Sequence, residues 1–364
     1  MTPDHLTAEA DMARTRPRPA WRNLTALAFC PSAGAAEAQS QAAPALAERA
    51  PEARSVQATT PFTSGDTVGD ILTRPEFAGY ARRLLPWADR AYDADMPISR
   101  MAQRLPYHSE VRSDVVLEGL NRILAAQQAG VPVFHEIYTE AERTEAPTLN
   151  EAGLFFFPGQ PGAPFALIAP GGGFSYVGSV HEGFPYAMAL ADQGFNAFVL
   201  TYRTGQGGRI ATTDMARAID VIMDAADEFQ VAREGYSVWG SSAGARMAAF
   251  IGSHGPDGFG ARTTQRPAAV VMAYTSHSDR SDHEPPTYAI VGARDWIAPP
   301  GNMRPRVETL RALGTDVEFR IVPDVAHGFG AGQGTGADGW ITEAAAFWQR
   351  HLPERESRPM EDEK

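Results

Sequence analysis

The sequence holds a single cysteine, Cys30, among 364 residues. That excludes an intramolecular disulfide and a cysteine-based zinc site. No apolar run approaches the ~20 residues that a membrane-spanning helix needs. Positive charge is in the minority, with 32 Lys and Arg against 44 Asp and Glu and a formal net charge of -12. Nothing in the sequence forms a basic block beside the candidate site below, so nucleic acid is not an expected partner. The run Gly171-Gly172-Gly173 is not followed by Gly-Lys-Ser/Thr and lacks the spacing of a dinucleotide fingerprint.

Apolar residues make up 43% of the chain, enough for a substantial core. The length allows one large domain or two small ones. Residues 1–60 are rich in Ala, Pro, Glu and Gln, without sustained periodicity, and read as leader and linker. Within them Arg14, Arg16, Arg18 and Arg22 precede the apolar stretch Leu24 to Phe29, and Ala36-Glu37-Ala38 has the form of a cleavage site. Pro31 cuts the apolar stretch short, and Asp4, Glu9 and Asp11 place acid ahead of it. Two expectations therefore stand. One is an export signal, giving a secreted or periplasmic protein. The other is a disordered leader on a cytoplasmic one.

Residues 61–130 have a helical texture and are expected to form an N-terminal extension, an arm or partial lid. Leu117, Leu120, Ile123 and Leu124 share one helical face, and Gly130-Val131-Pro132 ends that helix. From 131 to 352 short apolar runs alternate with helical stretches. The runs are Val133 to Tyr138, Gly153 to Phe157, Phe165 to Ala169, Ala197 to Tyr202, Tyr236 to Trp239, Ala268 to Ala273, Thr287 to Val291 and Val317 to Val322. The intervening helices are expected at Phe184 to Gln193, Thr213 to Phe229, Ala243 to Ile251, Met303 to Leu313 and Gly339 to His351. The pattern predicts an α/β fold: a mostly parallel eight-stranded sheet with helices on both faces, its first two strands antiparallel. Residues 353–364 form a charged tail.

After the fifth run stands Gly240-Ser241-Ser242-Ala243-Gly244. Gly-x-Ser-x-Gly between a strand and a helix puts Ser242 at the tip of a sharp turn with a helix N-terminus behind it. The competing reading is a glycine-rich turn with a capping serine. A serine hydroxyl is a poor nucleophile unless a base lies within hydrogen-bond reach and an acid orients that base. In such a sheet those groups sit on loops at the carboxyl ends of later strands. His327, in Ala326-His327-Gly328-Phe329-Gly330 after the last strand, is the candidate base. Asp295, after the seventh strand, and Asp324 both fit the chain order Ser, Asp, His. Asp324 lies only three residues before His327 and would need a tight fold-back, so Asp295 is preferred. The glycine run after the third strand and the Ala243 N–H are candidate donors to an oxyanion.

Phe174, Tyr176, His181 and Trp296 flank these loops as candidate pocket residues, with Glu182 and Gly183 beside His181; core packing suits the aromatics equally, and a helix start suits Glu182. His277, Asp279, Asp282 and His283 carry metal-ligand chemistry, but their serine-rich surroundings read as an ordinary polar loop, and no metal is expected.

Gly-Gly-Gly-Phe after the third strand, Gly-Ser-Ser-Ala-Gly after the fifth, Gly-Ala-Arg-Asp after the seventh and His-Gly-Phe-Gly after the eighth together resemble the α/β-hydrolase superfamily. The nearest flavour is its esterase/lipase group, including acetylxylan- and feruloyl-esterase-like carbohydrate esterases. The resemblance covers roughly Val133 to Leu352. It implies Ser242 as nucleophile, Asp295 as acid, His327 as base, and Gly172, Gly173 and Ala243 as the oxyanion hole, with no cofactor. Many relatives carry His where this chain has Pro170. The implied activity is a carboxylesterase for short acyl esters of small molecules or carbohydrates. A peptidase or acyltransferase on the same residues, and a non-catalytic binding protein, are the alternatives. The loop Ser276 to Pro286 is too short for the helical cap that many lipases insert there, which favours short acyl groups.

Overall fold

The computed structural model describes residues 60–354. The candidate leader, Cys30 and all but the start of the charged tail lie outside these residues. Eight strands form one sheet: β1 Phe134–Glu136, β2 Gly153–Phe157, β3 Phe165–Ala169, β4 Asn196–Thr201, β5 Ser237–Ser241, β6 Ala269–Ala273, β7 Thr287–Gly292 and β8 Val317–Val322. Their order is β1-β2-β4-β3-β5-β6-β7-β8. Strand β2 runs antiparallel to both of its neighbours, and β3 to β8 are parallel. The central strands β2 to β7 are buried at every position, as strands covered on both faces must be.

Alternate residues of these strands feed two cores. Phe155, Ile168, Val199, Trp239, Val271 and Ile290 point to one face, where α4 (Phe184–Ala191) and α8 (Trp340–Arg350) cover them. Leu154, Leu167, Phe198, Val238 and Met272 point to the other, under α5 (Gly208–Asp224) and α6 (Ala243–His254). Helix α7 (Pro300–Ala312) packs on that same side, against Ala289, which pairs with Met272. The helix expected over Thr213 to Phe229 is instead α5. It begins where Gly207, at φ 84°, turns the chain inward. Beyond Asp224 the chain winds into turns from which Ala226 and Phe229 still reach the core, so the apolar period outlasts the helix.

Residues 61–130 contain one long helix, Ser113–Gln128, with Leu120, Ile123 and Leu124 buried and Leu117 half-buried. The long helix is α2; the rest is a short helix, α1 (Val68–Thr73), and three 3-10 turns, and α3 (Glu140–Glu145) follows β1. Phe62, Val68, Ile71, Phe77 and Leu84 nevertheless share one continuous core with Phe155, Ile168 and Trp239 of the sheet. Asn121 holds the start of this segment: its side chain accepts the Phe62 N–H at 2.7 Å and donates to the Phe62 carbonyl at 2.9 Å. Among the described residues, no helix is long and apolar enough to cross a membrane.

His277, expected on a solvated loop, is only 4% exposed and packs edge-on to Phe250. Burial, reinforced by Arg306 and Arg246, pushes its pKa down from 6.5 to about 4. An unfolded chain takes up this proton near pH 6.5, while the folded protein resists it down to about pH 4. Stability present at neutral pH is therefore lost progressively as pH falls through that window. Thermal unfolding followed against pH checks this. The midpoint of His277→Asn is expected to fall less steeply than that of wild type between pH 6.5 and about 4.

Candidate active site

The chain leaves β5 at Ser241 and enters α6 at Ala243, so Ser242 alone makes the turn. Its backbone sits at φ 52° and ψ −110°, a conformation that costs a non-glycine residue about 1–3 kcal/mol. The Ser242 N–H donates to the Ala273 carbonyl at 2.9 Å and ties the turn to β6. Both flanking glycines are required by contact. A Cβ on Gly240 would lie 2.2 Å from the Gly244 carbonyl oxygen, and one on Gly244 would lie 1.8 Å from that of Ala169.

Three groups converge at this turn. Ser242 Oγ lies 2.9 Å from His327 Nε2, and His327 Nδ1 lies 2.8 Å from Asp295 Oδ2. The other carboxylate oxygen, Oδ1, accepts the N–H groups of Ile297 at 2.9 Å and Ala298 at 2.7 Å, which fixes the carboxylate plane. Asp295 and His327 are both nearly fully buried. Because a carboxylate only accepts, Nδ1 carries the imidazole proton and Nε2 is left to accept from Ser242. Asp324, the other acid in the right chain order, is exposed and pairs with Arg294 at 2.9 Å.

Parallel pairing of β3 with β5 sets Ala169 opposite Gly240, so the glycine run emerges beside the serine turn. Gly172 at φ 136° and Gly173 at φ 62° occupy backbone that favours glycine. A Cβ on Gly172 would come within 2.0 Å of the Tyr176 carbonyl oxygen. The Gly171 N–H is already committed to Glu182 Oε2 at 2.5 Å. Among the described residues, the N–H groups of Gly172, Gly173 and Ala243 have no backbone or side-chain acceptor. Pro170 keeps its carbonyl bonded to the Tyr202 hydroxyl at 2.7 Å.

The candidate pocket residues divide. Phe174 is half-buried at φ 58°, with the Arg246 guanidinium 5.8 Å from its ring centre. Trp296, adjacent to Asp295, is 78% exposed. Tyr176 presents no surface. It is fully buried between the Trp87 and Tyr107 rings, because the N-terminal segment covers it. His181 is buried as well, and its Nε2 donates to the Gly328 carbonyl at 2.9 Å. Burial and the adjacent His108 push its pKa down to about 4, so it supports the His327 loop as a neutral ring.

Four residues around the site carry little sequence signal: Tyr107, His108, Tyr186 and Tyr274. Glu182, expected either to line the pocket or to begin a helix, is a lone acid within the buried run Val180 to Tyr186. It begins no helix at the surface. It lies in a π-helical turn, Ser179–Gly183, with no exposure. Among the described residues, no group of three or more His, Cys, Asp or Glu side chains is arranged to hold a metal ion. In the cluster at 277–283, Asp279 pairs instead with His254 at 2.6 Å.

No family model matches the chain. An acetylxylan esterase of Xylanibacter ruminicola is 23% identical over 237 residues, which cover 57% of this chain and 48% of that protein. The chain thus spans about half the length of the curated relative it matches. The acetyl ester-xyloside bifunctional hydrolase of Caldicellulosiruptor lactoaceticus superposes with a TM-score of 0.52 at 19% identity, covering 60% of this chain and 95% of that one. A thermophilic esterase of Thermogutta terrifontis gives 0.48 at 20% identity, covering 56% and 90%. The chain has the α/β-hydrolase fold, and the relative it resembles in sequence is an acetylxylan esterase.

Proposed function

We propose that this protein is a serine carboxylesterase that cleaves short-chain acyl esters through an acyl-enzyme. The observation that carries the reading is the continuous relay from Ser242 Oγ through His327 to Asp295, built on a strained serine turn. Ser242 Oγ attacks the ester carbonyl carbon while its proton passes to His327 Nε2. The Asp295 carboxylate holds the imidazolium that results. The carbonyl oxygen gains the negative charge and is met by the N–H groups of Gly172, Gly173 and Ala243. Collapse breaks the bond to the alcohol oxygen, which takes the proton from His327. Water then repeats the sequence on the acyl-enzyme and releases the acid, with no cofactor.

Acetyl or feruloyl esters of carbohydrates are the substrate class to test first. The acetylxylan esterase relative supports that choice. Only residues 274–286 join β6 to β7, and they form no helix that would cover the site. A site without a large apolar cap favours short acyl groups.

Steady-state kinetics on p-nitrophenyl esters test both parts. Ser242→Ala is expected to lose about 10⁶ in kcat. Asp295→Asn is expected to lose about 10⁴ by leaving the imidazole in the wrong tautomer. Asp324→Asn removes only an exposed ion pair and should stay within about twofold of wild type. Equal losses at the two acids would refute the assignment of Asp295. Acetyl and butyryl esters should turn over faster than long-chain esters; the reverse order would refute the short-acyl reading.

A further inference from the structure

Glu182 is a fully buried carboxylate that no step above uses. Its Oε2 accepts the Gly171 N–H at 2.5 Å, and its Oε1 accepts the Tyr274 hydroxyl at 2.7 Å. His108 Nε2 lies 3.1 Å from the same Oε1. The Tyr107 N–H reaches the Tyr176 hydroxyl at 3.1 Å, and that hydroxyl lies 2.8 Å from His108 Nδ1. A consistent donor order follows. Tyr176 accepts from Tyr107 and donates to Nδ1, which leaves the Nε2 proton for Glu182.

A second chain runs the other way. Tyr274 spends its proton on Glu182, so it accepts from Tyr186 at 2.9 Å. Tyr186 in turn accepts from Ser241 Oγ at 2.9 Å, one residue before Ser242. The Tyr274 ring meets His327 edge-on at 5.2 Å between centres. Burial raises Glu182, but His108, His181 and Tyr274 more than offset it and hold the group near 2. It is therefore a carboxylate at neutral pH, and a charged acceptor binds an N–H about twice as strongly as a neutral one.

Residues 107–109 also touch both catalytic loops directly. The Ser109 N–H donates to the Gly328 carbonyl at 3.0 Å. A Cβ on Gly173 would lie 3.0 Å from the Tyr107 ring, and one on Gly328 would lie 2.5 Å from the Tyr107 carbonyl oxygen.

We propose that Glu182, held by His108 of the N-terminal segment, is the positioning residue that sets the oxyanion loop, so that residues 107–109 are an integral part of the active site. By fixing the Gly171 amide, the carboxylate orients the next two amides, Gly172 and Gly173, toward the developing charge. This rests on the serine-esterase reading above.

The test uses the full chain with Glu182→Gln, His108→Leu and His108→Gln. Glu284→Gln, which weakens a buried ion pair with Arg306 and breaks no hydrogen bond of Glu182, His108 or the glycine run, serves as a control for destabilisation alone. Three quantities are read: kcat/KM for p-nitrophenyl acetate, the inhibition constant of a trifluoromethyl ketone that adds to the serine as an oxyanion, and hydrogen–deuterium exchange in the peptide carrying Gly171 to Gly173.

Glu182→Gln and His108→Leu are expected to lower kcat/KM by roughly 10²-fold, the scale of a small misplacement of catalytic groups. The inhibition constant should rise in proportion, and exchange at the glycine loop should accelerate. His108→Gln keeps a donor to Glu182 and should recover most of the loss. Glu284→Gln should lower the unfolding midpoint with kcat/KM unchanged. Unaltered exchange in Glu182→Gln, or a loss in Glu284→Gln matching its own, would overturn the proposal. If Ser242→Ala retains wild-type turnover, the esterase reading fails instead; the exchange measurement still decides whether Glu182 sets the loop.

Discussion

Three stretches of backbone meet at the carboxyl edge of the sheet with no room for side chains between them. A Cβ on Gly240 would strike the Gly244 carbonyl, one on Gly244 the Ala169 carbonyl, and one on Gly171 would sit 3.0 Å from the Ser242 Cβ. This close approach is the constraint on which the site depends. It follows from the parallel pairing of β3 with β5, which sets Ala169 opposite Gly240. It also accounts for the backbone at Ser242: with α6 pressed against the end of β3, the chain has one residue in which to turn, and φ 52° is the result. The strain is offset by packing on both faces of β5, whose five residues are all buried.

A second constraint is the supply of hydrogen-bond partners at that crowded edge. Amides brought together without side chains need acceptors of their own or must be left facing a ligand. The Gly171 N–H finds Glu182, whereas those of Gly172, Gly173 and Ala243 find none among the described residues. The carboxylate that satisfies the first is itself satisfied by Tyr274 and His108. The unpaired donors therefore rest against a saturated network, the arrangement that their proposed role toward an oxyanion calls for. Part of that network comes from a segment that precedes β1 in the chain and shares its core.

Local chemistry was legible in the sequence and long-range chemistry was not. Strands β2, β3 and β8 have the ends read from their apolar runs, because turns rich in Gly, Pro or Asp bound them. Helix α5 starts five residues earlier than its apolar spacing suggested, since Gly208 to Thr212 carry no sustained period. Ser242, Asp295 and His327 each follow a strand with a glycine nearby, so order along the chain singled out three candidates that the fold brings into hydrogen-bond contact. Tyr176 and His181 have the same proximity in sequence but are buried, because the segment at 87–109 folds over them. His108 could not be found that way: it lies 74 residues from Glu182 in the sequence, in a segment without period or motif, and its role exists only once the core has closed.

The central claim is that Ser242 is a nucleophile activated by its surroundings. Reaction of the folded protein with a fluorophosphonate, followed by peptide mass spectrometry, tests it most directly. The account predicts one adduct per chain, on the peptide containing Ser242, forming far more slowly in His327→Ala. No adduct in folded wild type, an adduct on another serine, or labelling indifferent to His327 would contradict it.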